Sequence, residues 1–162
     1  MKALVADATA LLVLAKLGKL NLLNLVFDQV LVPSQVLAEV RRKPDHEAAV
    51  WNQPWLTLTN GTRESRYHEL CRVLDPGESE ALALAVRESL PLLIDERKGR
   101  TVATRLGVAV VGLLGILVAL VRSGGLSADE AIALVAKARS QGFRVSESLY
   151  QQFVEAVRSV LI

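Results

Sequence analysis

Six acidic side chains of this sequence lie where they could bind a divalent cation. Each lies among small or aliphatic residues, and together they are Asp7, Glu39, Glu78, Glu80, Asp95 and Glu96. Asp7 ends the apolar segment 2–6 and Asp95 ends the segment 92–94, so both would lie at the carboxyl edge of a parallel sheet, where ligands bind. Carboxylates gathered at one edge raise each other's pKa unless a cation neutralises them. Hard oxygen donors suit Mg²⁺ or Mn²⁺, which polarise a phosphoryl group and supply hydroxide from bound water, so the set predicts nuclease chemistry.

Each of these carboxylates also has a structural explanation when it is taken alone. Asp7 and Asp95 could each cap the helix that follows. Glu78 and Glu80 could complement a helix dipole. Glu39 could be a solvated residue paired with neighbouring arginines. One metal site explains all these positions at once, whereas the structural explanations need separate coincidences, and the site is therefore the favoured hypothesis.

A group of cations follows the acidic residues near position 95. Arg97, Arg100 and Arg105 lie with Lys98 in a stretch of nine residues that contains no acid. A cationic helix face beside a metal site could hold a nucleic-acid backbone, and a solvated helix face explains the pattern equally well. We therefore take Arg97, Arg100 and Arg105 as candidate nucleic-acid-binding residues, with the smaller cluster 41–43 next.

The apolar pattern predicts strands that alternate with helices. The strands are short and aliphatic and lack polar alternation, which is typical of a parallel sheet buried on both faces; they are expected at 2–6, 30–32, 56–59, 92–94 and 108–111. Helices are expected at 8–17, 20–27, 33–42, 67–74, 77–88, 97–106, 113–121, 128–139 and 146–161. This alternation favours a sheet sandwiched by helices.

Length and composition predict one folded domain. The chain has 162 residues, of which 51% are hydrophobic and 22% charged, so a disordered protein is excluded. The net charge of +2 permits nucleic-acid binding without requiring it. We expect a single domain over residues 1–162, with the C-terminal helix, about 146–161, packed on it or on a partner.

Cysteine content and the apolar runs bear on the cellular location of the protein. The single cysteine, Cys71, excludes an intramolecular disulfide and is expected to be a small core residue, and a reducing cytoplasm is the simplest location. The longest uncharged apolar run, 106–121, is shorter than the roughly 20 residues of a bilayer helix and contains three glycines. No membrane span is predicted.

Five ordered segments carry a resemblance to a known family. The segments 5–12, 32–40, 74–85, 93–103 and 111–117 together resemble the PIN-domain family, specifically its prokaryotic branch similar to VapC-type toxins of toxin–antitoxin pairs. The resemblance runs from residue 4 to about residue 149. It implies a PIN-like three-layer α/β/α fold with a central parallel sheet of four or five strands. It also implies a Mg²⁺- or Mn²⁺-dependent ribonuclease acting on single-stranded or structured RNA.

The resemblance assigns roles to individual residues. The four acids of the family, catalytic and metal-binding, correspond to Asp7, Glu39, Glu78 and Asp95, and Thr9 corresponds to a supporting hydroxyl residue. Glu80 and Glu96 are alternatives for the third and fourth acids. Positions 78 and 80 differ by roughly 200° around a helix, so both cannot face one metal equally, and Glu78 is preferred.

Partners and alternative functions follow from the same hypothesis. A homodimer and a cognate antitoxin protein are expected partners besides RNA. A haloacid dehalogenase-like phosphatase would need a second Asp where Thr9 stands. The alternative from another class is a non-catalytic RNA- or partner-binding module that keeps the PIN fold.

Overall fold

The computed structural model describes residues 2–42, 51–60 and 64–160, which form strands and helices in alternation. The strands are β1 (Ala3–Ala6), β2 (Gln29–Pro33), β3 (Leu56–Thr59), β4 (Leu92–Leu93) and β5 (Val110–Val111). The helices within the described ranges are α1 (Ala8–Lys16), α2 (Leu22–Val26), α3 (Ser34–Arg41), α4 (Ser65–Leu70), α5 (Pro76–Glu88), α6 (Arg97–Arg105), α7 (Leu113–Arg122), α8 (Ala128–Ser140) and α9 (Glu147–Ser159). The five predicted strands and the helices between them are all found.

The five strands form one parallel sheet in the order β3-β2-β1-β4-β5. Strand β1 is central, since Val5 aligns with Leu31 of β2 on one side and with Leu92 of β4 on the other. Leu4 and Val5 point to opposite faces and both are fully buried. Helices therefore cover both faces, which confirms the expected three-layer α/β/α fold.

Helix α5 is the main cover of the sheet centre. It packs on β1, β2 and β4 and also on α3 and α4. The small residues Ala81 and Ala85 are fully buried, which lets the helix approach the strands closely. A capping box and a proline near its first turn define where it begins. Because acidic residues open this helix, its docking also sets the place of those acids.

The C-terminal part of the chain adds a layer of three mutually packed helices. α7 packs on α8 and α9, and α8 packs on α9. Val135 from α8 and Phe153 and Val157 from α9 are buried. The helix predicted at 146–161 thus packs on the body of the protein, with residue 161 outside the described residues.

The segment after α4 departs from expectation. A helix was expected over 67–74, but α4 ends at Leu70 and the chain turns through the next four residues. Leu70 and Leu74 are buried, whereas Cys71 is exposed. The prediction of Cys71 as a core residue is therefore wrong, because the turn directs it outward.

No helix in the described ranges combines the length and apolar character that a membrane span requires.

Candidate metal and nucleic-acid site

The carboxyl ends of the central strands bring two of the predicted acids to one edge of the sheet. The backbone N–H of Asp7 donates to the carbonyl of Leu93 over 2.9 Å, and that of Ile94 donates to Val111 over 3.0 Å. These bonds continue the ladders of β1, β4 and β5 past their last paired residues. Asp7 and Asp95 therefore leave adjacent strands side by side, as the parallel order requires.

Asp7 is a buried carboxylate in a repulsive environment. It is 6% exposed and occupies the N-cap position of α1, but its side chain makes no capping hydrogen bond. Its pKa is raised from the ordinary 3.8 to about 7, chiefly by burial and in addition by the negative charges of Glu78, Asp75 and Glu39, against the opposing effect of the backbone N–H of Ala8. Asp7 thus occupies the N-cap position without forming a side-chain capping hydrogen bond.

Glu78 and Asp75 form a reciprocal pair at the start of α5. The N–H of Glu78 donates to Oδ1 of Asp75 over 2.8 Å, and the N–H of Asp75 donates to Oε2 of Glu78 over 3.3 Å. Burial raises the pKa of Glu78, and the charge of Asp75 adds to it, followed by those of Glu96 and Glu39. Glu78 thus has a structural role in the capping box of α5, and its charge is also coupled to the other acids of the cluster.

Glu39 reaches this cluster from α3. A Cβ atom on Gly77 would lie 3.2 Å from Oε2 of Glu39 and 3.5 Å from Oδ1 of Asp75, so the glycine leaves room for both carboxylates. Asp75 was not among the predicted site residues. The signal that could have found it is the Asp-x-x-Glu spacing of a capping box, which ties Asp75 to Glu78.

Asp95 is held by the start of α7 and feels the charge of a nearby guanidinium. Its Oδ1 accepts the N–H of Leu113 over 3.1 Å, while its Oδ2 is buried without a hydrogen-bond partner among the described residues. Burial raises the pKa of Asp95, against the opposing effects of the Leu113 N–H and the charge of Arg100. A Cβ atom on Gly112 would lie 2.8 Å from Oδ1 of Asp95. Asp95 thus caps α7 rather than the helix directly after it.

The other acidic and hydroxyl candidates have separate environments. Glu96 accepts the N–H of Gly99 over 2.7 Å and so caps α6. Glu80 is fully buried and accepts the N–H of Gln35 over 2.9 Å. Thr9 is exposed. The roles of Glu80 and Glu96 as alternative acids and of Thr9 as support stay predictions.

The predicted cations divide into two groups. Arg97 and Arg105 are exposed and line a cleft of ≈ 750 Å³ between α4 and α6, with Arg66 contributing from α4. Arg100 instead turns inward and donates from Nη1 to the carbonyl of Ile94 over 3.0 Å. Sequence reasoning missed Arg66, because its position opposite α6 depends on how the two helices pack.

The alternative basic cluster, 41–43, is described only in part. Arg41 and Arg42 are exposed at the end of α3, and Lys43 lies outside the described residues.

The chemistry of the donor set fits a divalent cation more closely than its geometry does. Across residues 2–42, 51–60 and 64–160, no group of three or more His, Cys, Asp or Glu side chains is arranged to hold a metal ion. Carboxylate oxygens are nevertheless the donors that Mg²⁺ and Mn²⁺ prefer, and a cation would relieve the repulsion around Asp7. Oδ2 of Asp95, which has no hydrogen-bond partner among the described residues, is a further oxygen that could bind a cation.

Comparison with known families adds one finding to this geometry. A family model described as a PIN domain matches residues 3–159, from β1 to the end of α9. The comparisons with curated proteins and with solved structures gave no match.

Proposed function

Because this chain belongs to the PIN-domain family, we propose that it is a Mg²⁺- or Mn²⁺-dependent endoribonuclease, VapC-like in its site and the toxin of a toxin–antitoxin pair. PIN domains are generally nucleases that bind nucleic acid and use divalent metal ions. The specific reaction, RNA cleavage, is the proposal.

The observation that carries the proposal is the electrostatic coupling of acids from separate elements. Asp7 follows β1, Glu39 lies on α3, and Glu78 opens α5, yet the charges of the last two both raise the pKa of Asp7. A stable fold gains nothing from such repulsion, since like charges disfavour one another's ionisation. A function that requires a cation explains why these acids lie close enough to repel one another.

The residues proposed to hold the ion are Asp7, Glu39, Glu78 and Asp95. When bound, Mg²⁺ or Mn²⁺ would polarise the phosphoryl group and supply a hydroxide from coordinated water. The N–H of Leu113 orients the Asp95 carboxylate, leaving Oδ2 as its available oxygen.

The proposed path of the RNA strand is the cleft between α4 and α6. Arg66, Arg97 and Arg105 line it, and cations bind phosphates irrespective of sequence. Glu96 lies at the same cleft and is electrostatically coupled to Glu78, which connects the cleft to the acidic cluster. A strand bound there would thus pass beside the proposed metal site.

The test is cleavage of a panel of single-stranded RNAs with and without Mn²⁺. The wild-type protein is expected to cleave only with the metal, and Asp7→Asn is expected to abolish cleavage. Asp129→Asn is the matched control. It makes the same chemical change at an exposed position on α8, away from the acidic cluster. Wild-type turnover by Asp7→Asn would refute the assignment.

A non-catalytic RNA- or partner-binding module is the second candidate. The observation that favours it is that the acids of the described residues are not arranged to hold an ion. RNA binding without cleavage, together with no response to Mn²⁺, would support this candidate. The cognate antitoxin, the homodimer and the cytoplasmic location are further parts of the toxin proposal.

A further inference from the structure

Glu80 is a buried carboxylate with a full set of local partners. It is 0% exposed, and its Oε1 accepts the Ser34 hydroxyl over 3.1 Å and the backbone N–H of Gln35 over 2.9 Å. Its Oε2 accepts the side-chain amide of Gln35 over 3.2 Å. All three donors come from the first two residues of α3. Glu80 is therefore bound to the start of a different helix from its own.

Helix α3 needs this interaction because its own sequence supplies no cap. The N-cap residue is Pro33, which makes no side-chain capping bond, so the first N–H groups of the helix lack a local acceptor. A carboxylate at a helix N-terminus satisfies such N–H groups and interacts favourably with the helix dipole. Glu80 on α5 thus acts as the cap of α3.

The same contact connects a third helix. The Gln35 amide that donates to Glu80 also donates to the hydroxyl of Tyr67 on α4, over 2.7 Å. Tyr67 is buried, so this network lies inside the protein. The starts of α3 and α5 and the middle of α4 are held together by one set of hydrogen bonds.

This network lies next to two of the proposed metal ligands in the chain. Glu78 is two residues before Glu80 on α5, and Glu39 is four residues after Gln35 on α3. The two helices pack on each other, and the Glu39 side chain extends to the start of α5, where its Oε2 would lie 3.2 Å from a Cβ atom on Gly77. A small shift of α3 against α5 would therefore change the separation of the Glu39 and Glu78 carboxylates.

We propose that Glu80 is a positioning residue, which caps α3 from α5 and so sets the distance between Glu39 and Glu78. The inference rests on the proposed function, since it assumes that those two acids bind the metal. Glu80 itself does not bind the ion, because its oxygens are already accepting hydrogen bonds from α3.

The experiment is a Mn²⁺ titration of Glu80→Gln, followed by the rise in melting temperature. The substitution keeps the size of the side chain but places an amide group against the amide of Gln35. Changes to groups that orient metal ligands typically weaken metal binding by about 10- to 100-fold, and a loss in that range is expected. Binding of RNA in metal-free buffer is expected to stay unchanged, because the cleft cations are untouched.

A double variant separates positioning from direct ligation. Gln35→Glu combined with Glu80→Gln restores one carboxylate and one amide across the same contact, and the N–H of Gln35 keeps an oxygen acceptor on residue 80. Mn²⁺ affinity is expected to recover in this variant. If it does not recover, residue 80 must itself be a carboxylate ligand, and the inference is wrong.

Controls address folding and generality. Glu130→Gln alters a comparable capping glutamate at the start of α8 and is expected to leave Mn²⁺ affinity unchanged. If Glu80→Gln does not fold, Ser34→Ala and Tyr67→Phe each remove a single hydroxyl from the network, and both are expected to weaken Mn²⁺ binding a few-fold. Unchanged Mn²⁺ affinity in the folded variants, with a responsive wild type, overturns this inference alone. A wild type that does not respond to Mn²⁺ overturns the proposed function as well.

Discussion

Asp7 is the acid of the proposed site on which burial and charge repulsion act most strongly. It is buried at the centre of the sheet edge, and three other carboxylates raise its pKa further. With a pKa of about 7, roughly half of the molecules carry a protonated Asp7 at neutral pH when no cation is present. The metal-free protein is thus expected to bind a proton where the metal-bound protein binds an ion.

Asp7→Asn is expected to remove a pH dependence of stability. The unfolded chain has a pKa near 3.8 at this residue and the folded protein about 7, so folding takes up a proton between these values. The contribution of Asp7 to stability is therefore fully present below pH 4 and is lost as the pH rises through 7, by up to about 4 kcal/mol. Asn carries no such change. Metal-free melting temperatures of the variant and wild type, measured from pH 4 to pH 8, should diverge in favour of the variant.

The difference in melting temperature between wild type and Asp7→Asn reports the titration of Asp7 alone. Burial also raises the pKa of Glu78 and Asp95, so both proteins should lose some stability as the pH rises. Asp129→Asn should follow the wild type at every pH. Parallel curves for Asp7→Asn and wild type would show that Asp7 titrates normally in the folded state.

Gly112 is a second residue whose identity is tied to the site. Its φ of −108° would accept alanine, but a Cβ there would lie 2.8 Å from Oδ1 of Asp95 and 2.9 Å from Nη1 of Arg100. Gly112→Ala should therefore displace Asp95 from the Leu113 N–H and lower stability by about 1–3 kcal/mol. The free energy of unfolding, measured by urea denaturation, and the Mn²⁺ affinity are both expected to fall.

Gly115→Ala is the control within the same helix. Its Cβ would meet the Val111 side chain at 3.1 Å, with no site residue in contact, and alanine is favoured over glycine inside a helix by up to about 1 kcal/mol. Equal effects of the two substitutions on stability and Mn²⁺ affinity would show that the loss in Gly112→Ala does not come from displacing Asp95.

At the scale of the elements, the sequence was informative where periodicity and local signals agree. The five strands were predicted because each is a short aliphatic run, and the helix predicted at 128–139 is found as α8, which Ser127 and Glu130 begin with a capping box. The prediction for α4 was wrong at its end because Leu70 and Leu74 have helical spacing, yet a turn also buries both. Periodicity alone does not distinguish these two solutions.

Contacts between elements were out of reach of sequence patterns. The six acids were found by type, but whether Glu80 faces the cluster or the start of α3 depends on the packing of α5 against α3. Arg100 was grouped with Arg97 and Arg105 by helical position, and only the fold turns it toward the Ile94 carbonyl. The donor types of the site were thus predictable, whereas their partners were not.

The cleft between α4 and α6 predicts which cations contribute to RNA affinity. Replacing Arg97 and Arg105 with Gln should remove two phosphate contacts. The negative slope of log affinity against log salt should then become less steep by about 1.4 for a single strand. Lys137→Gln with Arg158→Gln removes the same charge from exposed positions on α8 and α9 and is the control. Binding would be measured without metal at several salt concentrations, and equal slopes for the two double variants would place the RNA elsewhere.

At the scale of the whole molecule, the proposed metal site would couple ion binding to folding, because its ligands come from four distant segments. The proposed ligands, residues 7, 39, 78 and 95, would be near one another only when the sheet, α3 and α5 are assembled. The unfolded chain offers the ion isolated carboxylates with little affinity. Binding energy at the site therefore appears as stability of the entire fold.

Mn²⁺ is accordingly expected to raise the melting temperature, and to do so more strongly at pH 8 than at pH 6. At a concentration 100 times its Kd the ion adds about 2.7 kcal/mol, which corresponds to about 5–10 °C for a domain of this size. Protons compete with the ion for Asp7, whose pKa of about 7 lies between the two conditions, so the rise should be smaller at pH 6. Differential scanning calorimetry with Mn²⁺ and with EDTA measures both effects. Asp7→Asn should abolish most of the rise, and an equal rise in wild type at both pH values would mean that the ion binds without displacing a proton from Asp7.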